Sequence, residues 1–287
     1  MRMVKIPQAV SVGFPPRPVD AHKYSVGTVA IVGGSERYPH APVIVGMGAR
    51  AAGAGLVQLA VGASSRAAAG AWLPEATFLP SGTGFTWPKA DVLVVGNGCG
   101  RSGSAAELVR RCWAEWAGPL VLDADALTVL AGWSVDAVRE GVAGREVVLT
   151  PHEGEAARLL GATREDIAAD RRAAALALAA RYGATVVLKG PRTLVAAVEG
   201  KLYENRAGNP AMALGGMGDL LAGVVGARWA RVKGEAFTAA VAATWLHSAA
   251  ADRVIATGGD PSLANVAAAI GSLRAALENG FKKGRAK

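Results

Sequence analysis

Thr28-Val-Ala-Ile-Val32, Gly33-Gly34, Ala41-Pro-Val-Ile-Val-Gly-Met-Gly-Ala-Arg-Ala-Ala-Gly-Ala54 and Leu56-Val-Gln-Leu-Ala-Val61 follow one another closely, and their order decides the fold. The first run is apolar and rich in β-branched residues, and it stops at paired glycines, the pattern of a strand covered on both faces. The second run, made of small residues, predicts a helix over 41 to 54. The third is another buried strand, so residues 28 to 61 read as one βαβ unit.

The alternation continues outward from this unit. Asp91 to Val95 predicts a strand, Ser104 to Trp116 a helix, and Leu120 to Asp123 and Val147 to Thr150 two further strands. Glu165 to Tyr182 has Ala, Leu and Ile on one stripe and Arg and Asp on the other, so it reads as a single amphipathic helix. Thr185 to Lys189 is a strand, and Leu194 to Val198 with Lys201 to Tyr203 forms a hairpin. Helices over about Glu235 to Ile255 and Ser262 to Asn279 close the chain, the second announced by Asp260-Pro261 as cap and first-turn proline. No tandem repeat or linker divides the sequence, so residues 1 to 287 are read as one domain, with a Pro-rich arm over 1 to 26 and a basic tail over 281 to 287. The economical architecture is α/β: a doubly wound, mostly parallel sheet with helices on both faces.

The 287 residues are enough to bury a sizeable core. Hydrophobic residues make up 51%, much of it alanine, and aromatics only 6%, which fits helices packed closely on a sheet and leaves no aromatic platform for nucleic acid. The net charge of +8 is spread along the chain and favours phosphate-bearing ligands. Its one local cluster, Lys282, Lys283, Arg285 and Lys287, reads as a solvated tail. Cys99 and Cys112 are too few for a disulfide framework, and no Cys/His spacing resembles a zinc site. The N-terminal residues break at Pro7 and Pro15-Pro16 without a signal-peptide core. Even the apolar run Ala236 to Ala251 carries Thr238, Thr244, His247 and Ser248. The expectation is a soluble, cytoplasmic protein with no membrane and no nucleic-acid partner.

Ligands in such a sheet sit beyond the carboxyl ends of the strands. The loops found there are Gly33-Gly34-Ser35, Gly96-Asn97-Gly98-Cys99-Gly100, Asp123-Ala-Asp125, Thr150 to Glu155, Lys189 to Thr193 and the stretch Asn205 to Gly223. In the last, Gly215, Gly216 and Gly218 break any regular element, and Asp219 heads the apolar run Leu220 to Trp229. Glycines let successive backbone N–H groups point at one place, and a helix start adds free donors and a positive dipole end. A carboxylate there would repel a resting anion, which leaves Asp219 two readings: a general base beside a transferring phosphoryl group, or a plain first-turn residue. A competing motif, Gly98-Cys-Gly100-Arg-Ser-Gly103, fits the dinucleotide fingerprint of an oxidoreductase. It lies on a middle strand, however, and Asp123 falls beyond the usual spacing.

Taken together, the strand-end motifs resemble a known family. They are His22-Lys23 with Gly27, Val32-Gly-Gly-Ser35, Ala41-Pro42, Ala52-Gly-Ala-Gly-Leu56, the Gly96, Gly98, Gly100 loop, Leu122-Asp-Ala-Asp-Ala-Leu127, Leu149-Thr-Pro-His152 with Gly154-Glu155, Val187-Leu-Lys-Gly190, Gly208-Asn-Pro210, Gly215-Gly216 with Gly218-Asp219, and Leu221-Ala-Gly223. In order and number they resemble the ADP/ATP-dependent NAD(P)H-hydrate dehydratases, a branch of the ribokinase-like fold often fused to an epimerase domain. The resemblance runs from His22 over nearly the whole chain.

It implies a repair reaction. Hydration of the nicotinamide ring damages NADH or NADPH; the enzyme phosphorylates the new hydroxyl from a nucleotide and lets phosphate leave. Hydroxide leaves poorly and phosphate well, so the protein need only position the donor and neutralise charge. The resemblance further implies Mg²⁺, ADP as co-substrate with ATP as the other donor, AMP and phosphate as products, and a homotetramer.

Carried over residue by residue, the resemblance makes Asp219 the base, with the amides of Gly216, Met217 and Gly218 as anion hole; Met217 stands where the family usually has Thr. Ala41, Gly98, His152 and Asp219 contact the substrate. Lys189, Gly190, Pro191, Arg192 and Thr193, with Gly218, bind the nucleotide, Pro191 replacing a more usual Ala. Glu155 is an indirect Mg²⁺ partner, with a helix-dipole role as its alternative. Lys189 either neutralises phosphate or is a strand-terminal surface lysine. Asp123 and Asp125 either hold Mg²⁺ through water or pin the strand-end turn. The family often has Pro at the position of Glu153, Gly-Pro-Gly-Leu-Gly over 96 to 100, and Thr at Ala207. His22-Lys23 has no assigned chemistry, and His40 and His247 are read as structural or surface residues. A small-alcohol kinase of the same fold, acting on a vitamin precursor, and a nucleotide-binding protein without turnover remain as alternatives.

Overall fold

The structure is a computed structural model that describes residues 7–80, 87, 89–142 and 144–283, with side chains as far as residue 279. Strands β1 (Thr28–Val32), β2 (Leu56–Ala60), β3 (Thr77–Phe78), β4 (Val92–Val95), β5 (Leu120–Leu122), β6 (Val147–Leu149) and β7 (Thr185–Leu188) run parallel. The antiparallel β8 (Leu194–Ala196) and β9 (Leu202–Glu204) finish one edge. The order across the sheet is β3-β2-β1-β4-β5-β6-β7-β8-β9. The chain starts at β1, winds outward to β3, then returns to β4 on the other side of β1. Beyond their first residues the loops leaving β1 and β4 head to opposite sides of the sheet. At such a switch point the carboxyl ends of the strands are where the ligand crevice of this fold class falls.

The helices in chain order are α1 (Gln8–Ser11), α2 (Ala41–Ala51), α3 (Ala63–Trp72), α4 (Gly103–Glu115), α5 (Asp125–Leu130), α6 (Val135–Val142), α7 (Glu153–Leu160), α8 (Arg164–Ala169), α9 (Arg171–Tyr182), α10 (Met217–Val232), α11 (Ala236–Ala256) and α12 (Leu263–Lys283). Strand side chains alternate between two cores, as a period of two requires. Val29, Ile31, Val92 and Val94 join the core under α2, α10, α11 and α12; Ala30, Val32, Leu93 and Val95 join the one under α4, α5, α7 and α9. Every residue of β1 and β4 is buried, as their unbroken apolar runs predict.

α2 and α10 cross in unusually close contact. A Cβ on Gly223 would fall 1.8 Å from the Val45 carbonyl oxygen, and one on Gly48 would fall 2.1 Å from that of Leu220. Glycine at both positions lets the two backbones touch, and this contact sets where the N-terminus of α10 lies over the sheet.

Several expectations are corrected. The predicted helix over 165 to 182 is two helices, because Asp170 leaves helical geometry (φ −142°) and its carboxylate caps α9 by accepting from Ala173 N at 2.9 Å. Pro261 lies before its helix, whose first turn is met by Ser262 Oγ accepting from Asn265 N. The N-terminal arm is partly core: Val10 and Phe14 are buried, and Gly13 packs against Ala242. Of the predicted basic tail, α12 takes in residues as far as Lys283, and 284–287 lie outside the described residues. Short helices α5 and α6 have no counterpart in the sequence reading, being too brief to show periodicity, whereas α7 begins where the helix-dipole alternative for Glu155 puts a helix start. Cys99 and Cys112 are free thiols, both pushed up to about 12 by burial. Among the described residues no helix is long and apolar enough to cross a membrane.

Candidate active site

The crevice gathers the ends of β1, β4, β5, β6 and β7 beneath the N-terminus of α10. Backbone bonds lock the loops in pairs: Gly34 N donates to Asn97 O at 2.9 Å, and Lys189 N to Pro151 O at 2.8 Å. Gly216 caps α10 in the left-handed region (φ 90°), which favours glycine, and the chain turns there so that Asp219 occupies the first helical turn.

The polar side chains form one connected chain. Asn97 Nδ2 donates to Asp219 Oδ1 at 2.7 Å and to Asp123 Oδ2 at 2.9 Å. Asp123 Oδ1 accepts from Lys189 Nζ at 2.6 Å, and that ammonium lies 3.8 Å from Glu155 Oε2. Glu155 Oε2 in turn accepts from His152 N at 2.8 Å, while His152 Nδ1 accepts from the amides of Gly154 and Glu155, a capping box that starts α7.

Burial sets the electrostatics. It pushes the Asp219 carboxyl up to about 6; Asp123 and Asp125 add to the rise, while the Asn97 hydrogen bond and Lys189 oppose it. Burial likewise raises Glu155 to about 7 against the pull of Lys189. Desolvation works to lower the Lys189 ammonium, but Asp123 and Glu155 outweigh it and hold the group above the ordinary lysine range, so it stays charged. His152 is lowered by burial and by Lys189, which agrees with its Nδ1 acting as an acceptor. A carboxyl that ionises near neutrality, at a helix N-terminus and beside a fixed cation, suits proton abstraction next to a transferring anion.

The structure brings most of the predicted residues to this crevice. Ala41 and Gly98 are neighbours: a Cβ on Gly98 would lie 2.8 Å from that of Ala41 and equally close to that of Tyr38. Gly218 faces Lys189, whose Nζ lies 3.4 Å from where a Cβ would sit. His152 stands at the rim with a mostly exposed side chain. Gly190 (φ 138°) and Arg192 (φ 52°) bend the Lys189 to Thr193 segment, which Thr193 Oγ1 closes by donating to Gly190 O. Met217 departs from expectation: its amide donates to Leu214 O at 3.2 Å and its side chain is buried in the core. The next amides along the turn, Gly218 and Asp219, belong to the first turn of α10, whose N–H groups lack backbone carbonyls within the helix.

Of the alternatives for the Asp123 to Asp125 turn, the geometry matches pinning. Asp123 holds Asn97 and Lys189, and Asp125 accepts from Gly100 N at 2.9 Å. Among the described residues no group of three or more His, Cys, Asp or Glu is arranged as a metal cage. His22 closes a turn with Ser25, its Nδ1 accepting from Ser25 N, and His247 is buried with its pKa lowered to about 4 by desolvation.

Two residues at the crevice escaped the sequence reading. Asn97 bridges two carboxylates, and its only signal was an amide side chain between glycines at a strand end. Arg171, freed by the break at Asp170, donates to Leu188 O at 3.3 Å, to Lys189 O at 3.0 Å and to Pro191 O, and pairs with Glu153 at 3.2 Å. It thereby joins the β6 and β7 loops across the crevice, and no local pattern announced it.

The sheet order and the crevice at its switch point define the class as a ribokinase-like α/β protein. A structure from Enterococcus faecalis described as ribokinase-like superimposes with a TM-score of 0.77 at 25% identity, covering 98% of this chain and 99% of that one. The family model described as NAD(P)H-hydrate dehydratase matches residues 29–269, and the chain belongs to that family. It is 40% identical to the ADP-dependent (S)-NAD(P)H-hydrate dehydratase of Neisseria meningitidis, over 83% of this chain and 81% of the relative. It is 42% identical to the bifunctional NAD(P)H-hydrate repair enzyme of Gloeobacter violaceus over 86% of this chain, but spans only 49% of that protein, about half the length of the bifunctional relatives it matches. The ADP/ATP-dependent NAD(P)H-hydrate dehydratase of Bacillus subtilis, co-crystallized with ATP/Mg²⁺, superimposes with a TM-score of 0.79 at 26% identity, covering 96% of this chain and 95% of that one.

Proposed function

We propose that this chain is an ADP-dependent NAD(P)H-hydrate dehydratase that restores hydrated NADH and NADPH. The observation that carries the reading is the link from Asp219, through Asn97 and Asp123, to Lys189: a carboxyl of pKa about 6 under a helix N-terminus, tied to a permanent cation at the nucleotide strand end. Asp219 takes the proton of the ring hydroxyl as its oxygen attacks the β-phosphorus of ADP, and the bond from that phosphorus to AMP breaks. The carbon–oxygen bond to the new phosphate then breaks, driven by the lone pair of the ring nitrogen. Loss of a proton from the adjacent ring carbon restores the double bond and leaves AMP and phosphate as products.

Ala41, Gly98 and His152 lie on the substrate side. Lys189 to Thr193, with Gly218, lie on the nucleotide side, and the turn from Gly216 to Gly218 is the segment nearest the transferring group, with the Gly218 amide rather than the engaged Met217 amide as its donor. Asp123, Glu155 and Asp219 surround one ammonium, so the cluster is short of positive charge for a polyphosphate. A divalent cation arriving with the nucleotide offsets that shortage, and Glu155 is the carboxylate placed to hold it through water. When bound, Mg²⁺ supplies neutralisation of the transferring phosphoryl group. ADP is chosen because the Neisseria meningitidis relative, matched over most of both lengths, is named ADP-dependent. Residues 1–287 are read as one domain working in the cytoplasm as a homotetramer.

The test supplies hydrated NADH with ADP or ATP and follows the absorbance of the reduced nicotinamide. Recovery with ADP is expected. No recovery with either donor, with phosphorylation of a thiazole or sugar alcohol instead, would overturn the reading in favour of a kinase.

A further inference from the structure

Asn97 is fully buried at the end of β4, its amide nitrogen shared between Asp219 and Asp123 while its Oδ1 is buried without a hydrogen-bond partner. The reverse amide orientation would set that oxygen against two carboxylates, so the donor side is the one that faces them. An amide kept in the core with half of its hydrogen-bonding capacity unmet is unfavourable for stability, and such groups call for a functional explanation. The two bonds it does make join the carboxyl on α10 to the Asp123–Lys189 pair that spans β5 and β7. Asp219 has no other side-chain hydrogen bond among the described residues.

We propose that Asn97 is a positioning residue for the dehydration: it holds Asp219 by one oxygen, leaving Oδ2 for the substrate hydroxyl, and ties the base to the cation at the nucleotide end so that both halves of the site are set together. This rests on the reading of Asp219 as the base. The charged groups facing Asp219 are Asp123 at the end of β5, Asp125 in α5 and Lys189 at the end of β7. Asn97 and Lys189 favour the ionised form of Asp219, and burial, Asp123 and Asp125 oppose it. Removing the amide donor therefore raises the pH at which the base becomes active, whereas a residue that only fills space would not move it.

The experiment compares wild type with Asn97→Leu, which keeps the volume without the donor, and Asn97→Ala, which leaves room for a water. Rates with hydrated NADH and ADP are followed from acid to neutral pH, and the Asp219 carboxyl is titrated by carbon NMR in the free protein. The acid limb of kcat and the Asp219 titration are both expected to move up by about one pH unit in Asn97→Leu. At a pH below the new limb kcat falls roughly tenfold, with KM for ADP within about twofold of wild type. Should Asn97→Leu not fold, Asn97→Ala carries the same test with a smaller shift. A folded variant whose limb and carboxyl titration match wild type overturns the inference, as does a uniform loss of rate with neither shifted. A wild type without repair activity would instead overturn the assigned reaction, and the NMR titration still decides whether Asn97 holds Asp219.

Discussion

Asp219 is held where its charge is unfavourable for folding and useful for proton transfer. Its pKa, raised to about 6, means that folding favours the protonated form relative to the unfolded chain. The stability this group contributes is complete below the ordinary carboxylate range of about 4 and is lost as pH rises through about 6. At neutral pH the ionised carboxylate is therefore a liability, and Asp219→Asn is expected to raise the melting temperature by a few degrees while lowering dehydratase activity roughly a thousandfold. Thermal unfolding and nicotinamide absorbance read the two effects side by side; equal melting with full activity would remove Asp219 from the mechanism. Because a base must be ionised to work, wild-type kcat should climb with pH through about 6. A rate profile flat from pH 4 to 8 would contradict that role.

Helices place these side chains, and the placement depends on backbone contact that residue type alone does not declare. At the α2–α10 crossing, Gly223→Ala would drive a Cβ into the Val45 carbonyl, 1.8 Å away, and push back the helix that carries Asp219. The expected outcome is a loss of about 2 kcal/mol or more in urea unfolding together with a lower kcat. Gly70, inside α3 with nothing within 4 Å of its missing Cβ, is the control: alanine there should stabilise by about 0.5 kcal/mol and leave activity unchanged. The break between α8 and α9 works on the nucleotide side. Arg171 at the start of α9 fixes the carbonyls of Leu188, Lys189 and Pro191, so Arg171→Ala is expected to raise KM for ADP about tenfold and to change kcat far less. Steady-state kinetics with varied ADP measure the split.

Across the whole molecule, the N-terminal segment and the C-terminal helix meet at one buried guanidinium. Arg228 on α10 donates to the carbonyls of Gly13 and Ala52, pairs with Glu278 on α12 at 2.8 Å, and lies 4.5 Å from the centre of the Phe14 ring. Glu278 also takes Arg274 at 2.6 Å. Burial lowers the Arg228 pKa to about 10, with Glu278 opposing the fall, so the group stays charged and needs its partner. Glu278→Ala leaves that charge unpaired in the core and should destabilise by about 3 to 5 kcal/mol, whereas Arg228→Met with Glu278→Leu should recover much of the loss. Chemical unfolding of the two variants beside wild type checks both expectations.

The sequence by itself determined the sheet, because strands buried on both faces must be uniformly apolar and the glycine-ended turns at their carboxyl ends mark where ligands approach. It also singled out Asp219 by its glycine-rich loop and, through the family resemblance, His152, Glu155 and Lys189, although the competing Gly98 to Gly103 fingerprint could be set aside only on position. Local pattern did not reach contacts made between distant segments. Asn97 acquires meaning only when β4 lies beside β5 and beneath α10, Arg171 only when Asp170 ends one helix and caps the next, and Met217 only when the turn directs its amide and side chain inward. The partner of Asp123 was likewise not legible until tertiary structure put Lys189 2.6 Å from it. Hydrogen bonds and ion pairs across a site depend on distances that the order of residues does not specify, and those distances are what the fold supplied.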